Sequence, residues 1–150
     1  MTTIPEGFTS VTPYIVMDDP VAAIEFYKKA LGAEEKMRFP TPEGGAMYVE
    51  FQVGNARMMI GSPCPDDDAK SAKSLDGSPI SFYVYVEDLE ASFNKGKSAG
   101  MSVKKEVEEM FWGDRMGTLR DPFNVEWTLA QHIRDVSPEE LQEAIKSMAG

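Results

Sequence analysis

The chain has 150 residues, 42% of them hydrophobic and 10% aromatic, which suits one domain with a buried core. Its formal net charge of -10 argues against partners that demand Lys/Arg clusters, namely nucleic acid and anionic membrane surfaces. No apolar run approaches the roughly 20 residues of a membrane helix, no apolar signal core is present at the start, and the single cysteine, Cys64, allows no internal disulfide, so a cytoplasmic protein is expected.

Residues 11–17 read as a strand. Asp19 is placed to cap a helix with Pro20 at its first position. Over residues 21–31, Ile24, Tyr27 and Leu31 fall on one face beside Ala23 and Ala30, and Gly32 suits the stop. Residues 33–39 should be a second strand. Residues 46–53 and 56–60 flank Gly54–Asn55, a short hairpin turn. The stretch 61–79, rich in Pro, Asp, Ser and Gly, reads as a mobile linker. A strand at 80–86, a helix at 88–99 and strands at about 102–107, 113–119 and 125–131 follow, the last two joined by a turn at 121–124. Ser137, Pro138 and Glu140 then mark a helix start, with Leu141, Ala144, Ile145 and Met148 as its apolar stripe, expected to dock on its own domain or on a partner subunit.

The two halves repeat one βαβββ pattern at an offset of about seventy residues, with Gly54–Asn55 answering Phe123–Asn124 as turns. A pseudo-twofold pair of modules is expected, in an α+β fold. Module one covers about 8–61, the linker about 62–79, module two about 80–132 and the C-terminal helix about 137–148, all within a single domain.

The doubled pattern resembles the vicinal oxygen chelate superfamily, which includes glyoxalase I, bleomycin-resistance proteins and extradiol dioxygenases. Ala22-Ala-Ile-Glu-Phe-Tyr-Lys-Lys-Ala-Leu-Gly-Ala33 resembles the first helix of its PhnB-like branch, and Asp88-Leu-Glu-Ala91 the entry to the second. Met110-Phe-Trp-Gly-Asp-Arg-Met-Gly117 with Asp121-Pro-Phe-Asn124 resembles that branch's most specific signature, and Asp135-Val-Ser-Pro-Glu-Glu140 matches its tail. The resemblance spans roughly residues 8–145. It implies two modules forming a curled mixed sheet around a cleft, with helices outside and an extra C-terminal helix, and it implies a homodimer. It implies no particular reaction, because the superfamily spans lyases, isomerases, dioxygenases and binding proteins.

Enzymes of the superfamily hold a divalent metal through His, Glu or Gln on the first and last strands of each module. Counting from the helix-opening Asp residues and from the hairpin turns places these slots at Thr12, Met59, Ser81 and Thr128, with equal separation in the two pairs. Hydroxyls and a thioether are weak donors for such metals, so no metal and no cofactor is expected. His132, near the end of the chain, reads as a surface or capping residue. The branch's Met-His-Ala-Glu stretch is here Met47-Tyr48-Val49-Glu50, which removes a group that titrates near neutral pH.

Strand alternation puts Tyr14, Tyr48, Glu50, Tyr83, Tyr85 and Glu126 on the cleft side, and the repeat gives Arg115 the parity of Tyr48. Trp112 lies in the signature loop. These eight residues are the candidate ligand-binding set. Tyr rings supply apolar walls with polar tips, carboxylates can orient a cation, and an arginine can hold an acid. Arg115 can equally pair with Asp114, Glu50 or Asp121. No catalytic residue stands out, and Cys64 lacks the basic neighbour that would activate it. A metal-free protein that binds a small organic ligand is therefore expected, against two alternatives: a metal-dependent lyase, isomerase or dioxygenase, and an interaction protein with a filled cleft.

Overall fold

A computed structural model describes residues 3–66 and 68–149. Module one comprises β1 (Tyr14–Val16), α1 (Pro20–Leu31), β2 (Glu34–Pro40), β3 (Ala46–Val53) and β4 (Ala56–Gly61). A one-turn helix, α2 (Ala72–Leu75), interrupts the linker. Module two comprises β5 (Ser81–Tyr85), α3 (Leu89–Ala99), β6 (Ser102–Glu109), β7 (Asp114–Arg120) and β8 (Glu126–His132), and α4 (Pro138–Ala149) follows. Each module forms one four-stranded mixed sheet, ordered β1-β4-β3-β2 and β5-β8-β7-β6. In both, the first strand runs parallel to the last and the other neighbours are antiparallel. This is the expected α+β fold of two tandem βαβββ modules with a C-terminal helix.

The two helix starts use the same device. Asp19 accepts from the amide of Ala22 at 3.0 Å and Asp88 from that of Ala91 at 3.1 Å, each satisfying an amide that the helix itself leaves unpaired. Apolar side chains of α1 and α3 are buried against the sheets, with Ile24 and Tyr27 from the first and Leu89 and Phe93 from the second. No strand hydrogen bonds join the two sheets among the described residues; α1 and α3 pack together and carry the junction. Tyr27 lies at its centre, stacked on Phe51 of module one and edge-on to Trp127 of module two at 5.3 Å.

Three expectations need correction. The first strand is shorter than residues 11–17, because Pro13 has no amide to donate and contributes only its carbonyl, to Met59 at 2.9 Å. The linker, expected to be mobile, is tied down by buried Ser71, which caps α2 and donates to Oδ1 of Asp18 at 2.7 Å. No α4 residue is buried, and Ile145 and Met148 of its apolar stripe stand exposed, so docking on its own domain does not cover the stripe, and the partner subunit stays the expected cover.

Candidate functional site

The sheet faces turned away from α1 and α3 carry two separate clusters. On module one, the register pairs Glu50 with Met59, which in turn pairs with Tyr14, so all three share one face. Tyr48 lies two residues along from Glu50 and donates to its Oε2 at 2.9 Å. Tyr14 stacks against Tyr48 with ring centroids 6.4 Å apart, and Phe39 approaches Tyr48 from β2 at 5.1 Å. Gly61 permits this arrangement, since a Cβ there would overlap the Tyr14 phenol. Glu50 also receives Nη1 of Arg57 at 3.4 Å. Desolvation, then the bond to Glu50, pushes the Tyr48 phenol well above its ordinary pKa, so it stays a proton donor.

The N-terminal segment folds back over this face and encloses an open pocket of about 480 Å³. Met37, Glu50 and Met59 line it from the sheet, and Ile4, Pro5, Phe8, Thr9 and Thr12 from the segment. It is an open pocket with a largely apolar lining and with Glu50, bonded to Arg57 and Tyr48, in its wall, the chemistry of a site for a small organic molecule.

On module two, the hydroxyls of Tyr83 and Tyr85 donate to Oδ2 of Asp114 at 2.8 and 2.9 Å, and Nε1 of Trp112 donates to the same atom at 3.2 Å. Nδ1 of His132 lies 2.8 Å from Oδ1 of Asp114, while its Nε2 lies 2.8 Å from Asp135. Asp114 is 3% exposed. Desolvation works against its ionisation, but bonds from His132, Tyr83, Tyr85 and Trp112 outweigh it and hold the carboxyl below its usual range. The phenol of Tyr83 is pushed up to about 12, by desolvation above all. Asp114 is thus a hub that fixes three aromatic tips and leaves their rings toward solvent.

The eight candidate residues therefore do not form one group. Tyr14, Tyr48 and Glu50 meet on module one, and Tyr83, Tyr85 and Trp112 meet on module two. Glu126 shares a sheet face with Thr128, but its carboxylate is neutralised by Lys104 and by Arg120 at 3.0 Å. Arg115 needs correction: it pairs across the sheet with Gln131 and forms an ion pair with Glu90 of α3, so it lies on the helix side. The cause is turn length. Val53 and Ala56 close a two-residue turn, whereas Asp121 and Val125 close a three-residue one, with Asn124 in the left-handed region. The extra residue flips the parity counted back from the turn.

The four slots follow the sheets. Thr12 and Met59 line the module-one pocket, while Ser81 and Thr128 belong to the other sheet. Thr128 is committed to a 2.8 Å hydroxyl pair with Thr118. Among the described residues no group of three His, Cys, Asp or Glu side chains is placed to hold a metal ion. Hydroxyls and a thioether do not fit the divalent metal of the superfamily's enzymes. Sequence reasoning missed Arg57 and the N-terminal cover, named Asp114 only as a possible partner of Arg115, and read His132 as a surface or capping residue, which its half-exposed ring fits without showing its bonds to Asp114 and Asp135. Arg57 was discoverable, because it sits two residues before Met59 and so shares its face.

Comparison with known proteins agrees with the architecture. The family model described as Glyoxalase/Bleomycin resistance protein/Dioxygenase superfamily matches residues 8–129. An uncharacterised Mycobacterium bovis protein, Mb0911c, is 33% identical over 141 residues, covering 92% of this chain and 93% of its own. The fold matches TioX from Micromonospora sp. ML1 with a TM-score of 0.66, at 16% identity over 86% of this chain and 100% of that one. It also matches a Bacillus cereus PhnB protein, described as a putative 3-demethylubiquinone-9 3-methyltransferase, with a TM-score of 0.62, at 16% identity over 82% and 99%. Among the described residues no helix is long and apolar enough to cross a membrane. By the family match and the extent of the Mycobacterium likeness, the chain belongs to the glyoxalase/bleomycin resistance protein/dioxygenase superfamily.

Proposed function

We propose that this protein is a small-molecule-binding member of the PhnB-like branch, which takes an organic ligand on module one without a divalent metal. The observation that carries the reading is the open pocket of about 480 Å³ between the N-terminal segment and β2–β4, with Glu50 in its wall. Its size suits a small organic molecule, and Met37, Met59 and Phe8 supply apolar contact. The weak donors Thr12, Met59, Ser81 and Thr128 support the metal-free part. The motifs around 110–117 and 121–124 support the branch.

Thermal-shift screening against organic acids, organic cations and aromatics tests binding, since a ligand held by the native state raises the melting temperature. Several degrees of stabilisation by one class, lost on Met59→Glu, is the expected result. No response across the panel overturns the reading. Elemental analysis tests the metal-free part: a stoichiometric divalent ion retained through dialysis overturns it.

The same reading makes the protein a homodimer in the cytoplasm. Val11, Ile80, Tyr85 and Met47 stand exposed, the first by 82%, and burying them against a second copy removes that apolar surface from water. Light scattering should give twice the chain mass of 16.6 kDa. A monomer at all concentrations overturns this part.

A further inference from the structure

An arginine carries five N–H donors. Among the described residues, the Arg57 side chain makes one hydrogen bond, from Nη1 to Oε1 of Glu50 at 3.4 Å. Its Nε is buried and meets no acceptor. A buried donor without a partner is costly, and native proteins leave few of them. Glu50 does not need all of Arg57, because it also accepts from Tyr48 at 2.9 Å.

The cover over Arg57 is the N-terminal segment. The Phe8 ring lies 4.8 Å from the guanidinium carbon, a cation–π contact. Gly7 leaves no room for a side chain beside it. Its φ is +85°, and a Cβ there would sit 2.5 Å from Nη2 of Arg57. Phe8 is also a wall of the module-one pocket, with Ile4, Pro5 and Thr9 from the same segment. The residue that lies over the guanidinium is thus also one that bounds the cavity.

We infer that Arg57 is a ligand anchor held in reserve beneath a Phe8 latch, and that the pocket takes an apolar organic acid whose oxygen is received by the Arg57 guanidinium when the latch shifts. This rests on the module-one pocket being the binding site. An acid fits because a guanidinium bonds charged oxygen more strongly than neutral oxygen. Phe8, Met37 and Met59 then contact its apolar body.

The test uses the full chain, labelled to show arginine Nε–H resonances, with 1-anilinonaphthalene-8-sulfonate as the probe acid. The Arg57 Nε–H is expected to be protected from water exchange in the wild type and to lose that protection in Phe8→Ala. Phe8→Leu, which keeps an apolar side chain but not the ring, should fall between them. The probe should shift the Arg57 Nε–H and the Met37 and Met59 methyls together. Arg57→Met should weaken its binding about tenfold, as expected for loss of one charge-assisted bond. An Nε–H that exchanges freely in the wild type, or that ignores Phe8→Ala, overturns the latch. Methyl shifts without an Nε–H shift overturn the anchor and leave the pocket reading standing. No shift at either overturns both.

Discussion

The Tyr27 hydroxyl donates to Oδ2 of Asp121 at 2.7 Å, across 94 residues of sequence, and joins the helix of module one to the hairpin turn of module two. The same oxygen accepts from Nε1 of Trp127 at 2.9 Å, while Oδ1 accepts the amides of Phe123 and Val125. Burial raises the pKa of the Asp121 carboxyl, and those four donors oppose it, the Tyr27 bond first. One carboxylate therefore shapes the turn and fastens the modules. Removing the hydroxyl leaves a buried acceptor short of a donor, so Tyr27→Phe should cost about 1–3 kcal/mol. Asp121→Ala strands all four donors and should cost more. Urea unfolding checks both, and equal losses for the two variants would contradict the hub.

The His132 ring makes stability depend on pH. Its pKa is raised, first by the bond to Asp135 and then by that to Asp114. Both ring nitrogens face carboxylates, so the imidazolium satisfies both, while a neutral ring turns a lone pair toward one of them. A raised folded value means the contribution is full below the unfolded value of about 6.5 and is lost as pH rises through the folded value. Asp114 works in the other direction, since its depressed pKa makes its contribution fail as pH falls below the usual Asp range. Melting temperature measured between about pH 6 and pH 9 should fall more steeply in the wild type than in His132→Gln. Parallel profiles would show that the two contacts do not influence folding.

Much of the fold was legible because its signals are local. Asp19 and Asp88 each precede an apolar periodic run, and the structure uses both as caps. Alternation and the repeat put Tyr14 on the face of Met59 and Tyr83 on the face of Thr128, and the registers pair them. The site was harder to read. Asp114 gains its meaning from Tyr83 and Tyr85, about thirty residues away in sequence, and no spacing rule encodes that meeting. The N-terminal cover has no periodicity, so nothing in it announced that Phe8 would lie on Arg57. Arg115 failed for one countable reason, the third residue in the turn that Asp121 closes.

Arg115 gives a sharp negative expectation. Its partner Glu90 is 58% exposed, and exposed ion pairs contribute about 0–1 kcal/mol. Arg115→Ala should leave stability nearly unchanged and probe binding intact, whereas Arg57→Met should weaken binding. Isothermal titration with the same probe acid separates them, and a loss confined to Arg115→Ala would return that residue to the site.

Gly61 should tolerate no side chain. The ring of Tyr14 occupies the space where a Cβ would stand, and that ring is stacked on Tyr48, the donor to Glu50. Gly61→Ala must move either the phenol or the end of β4, whose Gly61 carbonyl also receives the amide of Met17 at 2.9 Å. Overpacking of this kind costs about 1–3 kcal/mol. The displaced ring should be visible as altered chemical shifts at Tyr48, with the module-two rings Tyr83 and Tyr85 unaffected, because the two clusters lie on sheets that share no strand hydrogen bonds among the described residues. Tyr14→Ala in the same chain should restore most of the loss by vacating that space. If Gly61→Ala is as stable as the wild type with Tyr14 present, the close packing of that ring on β4 is wrong.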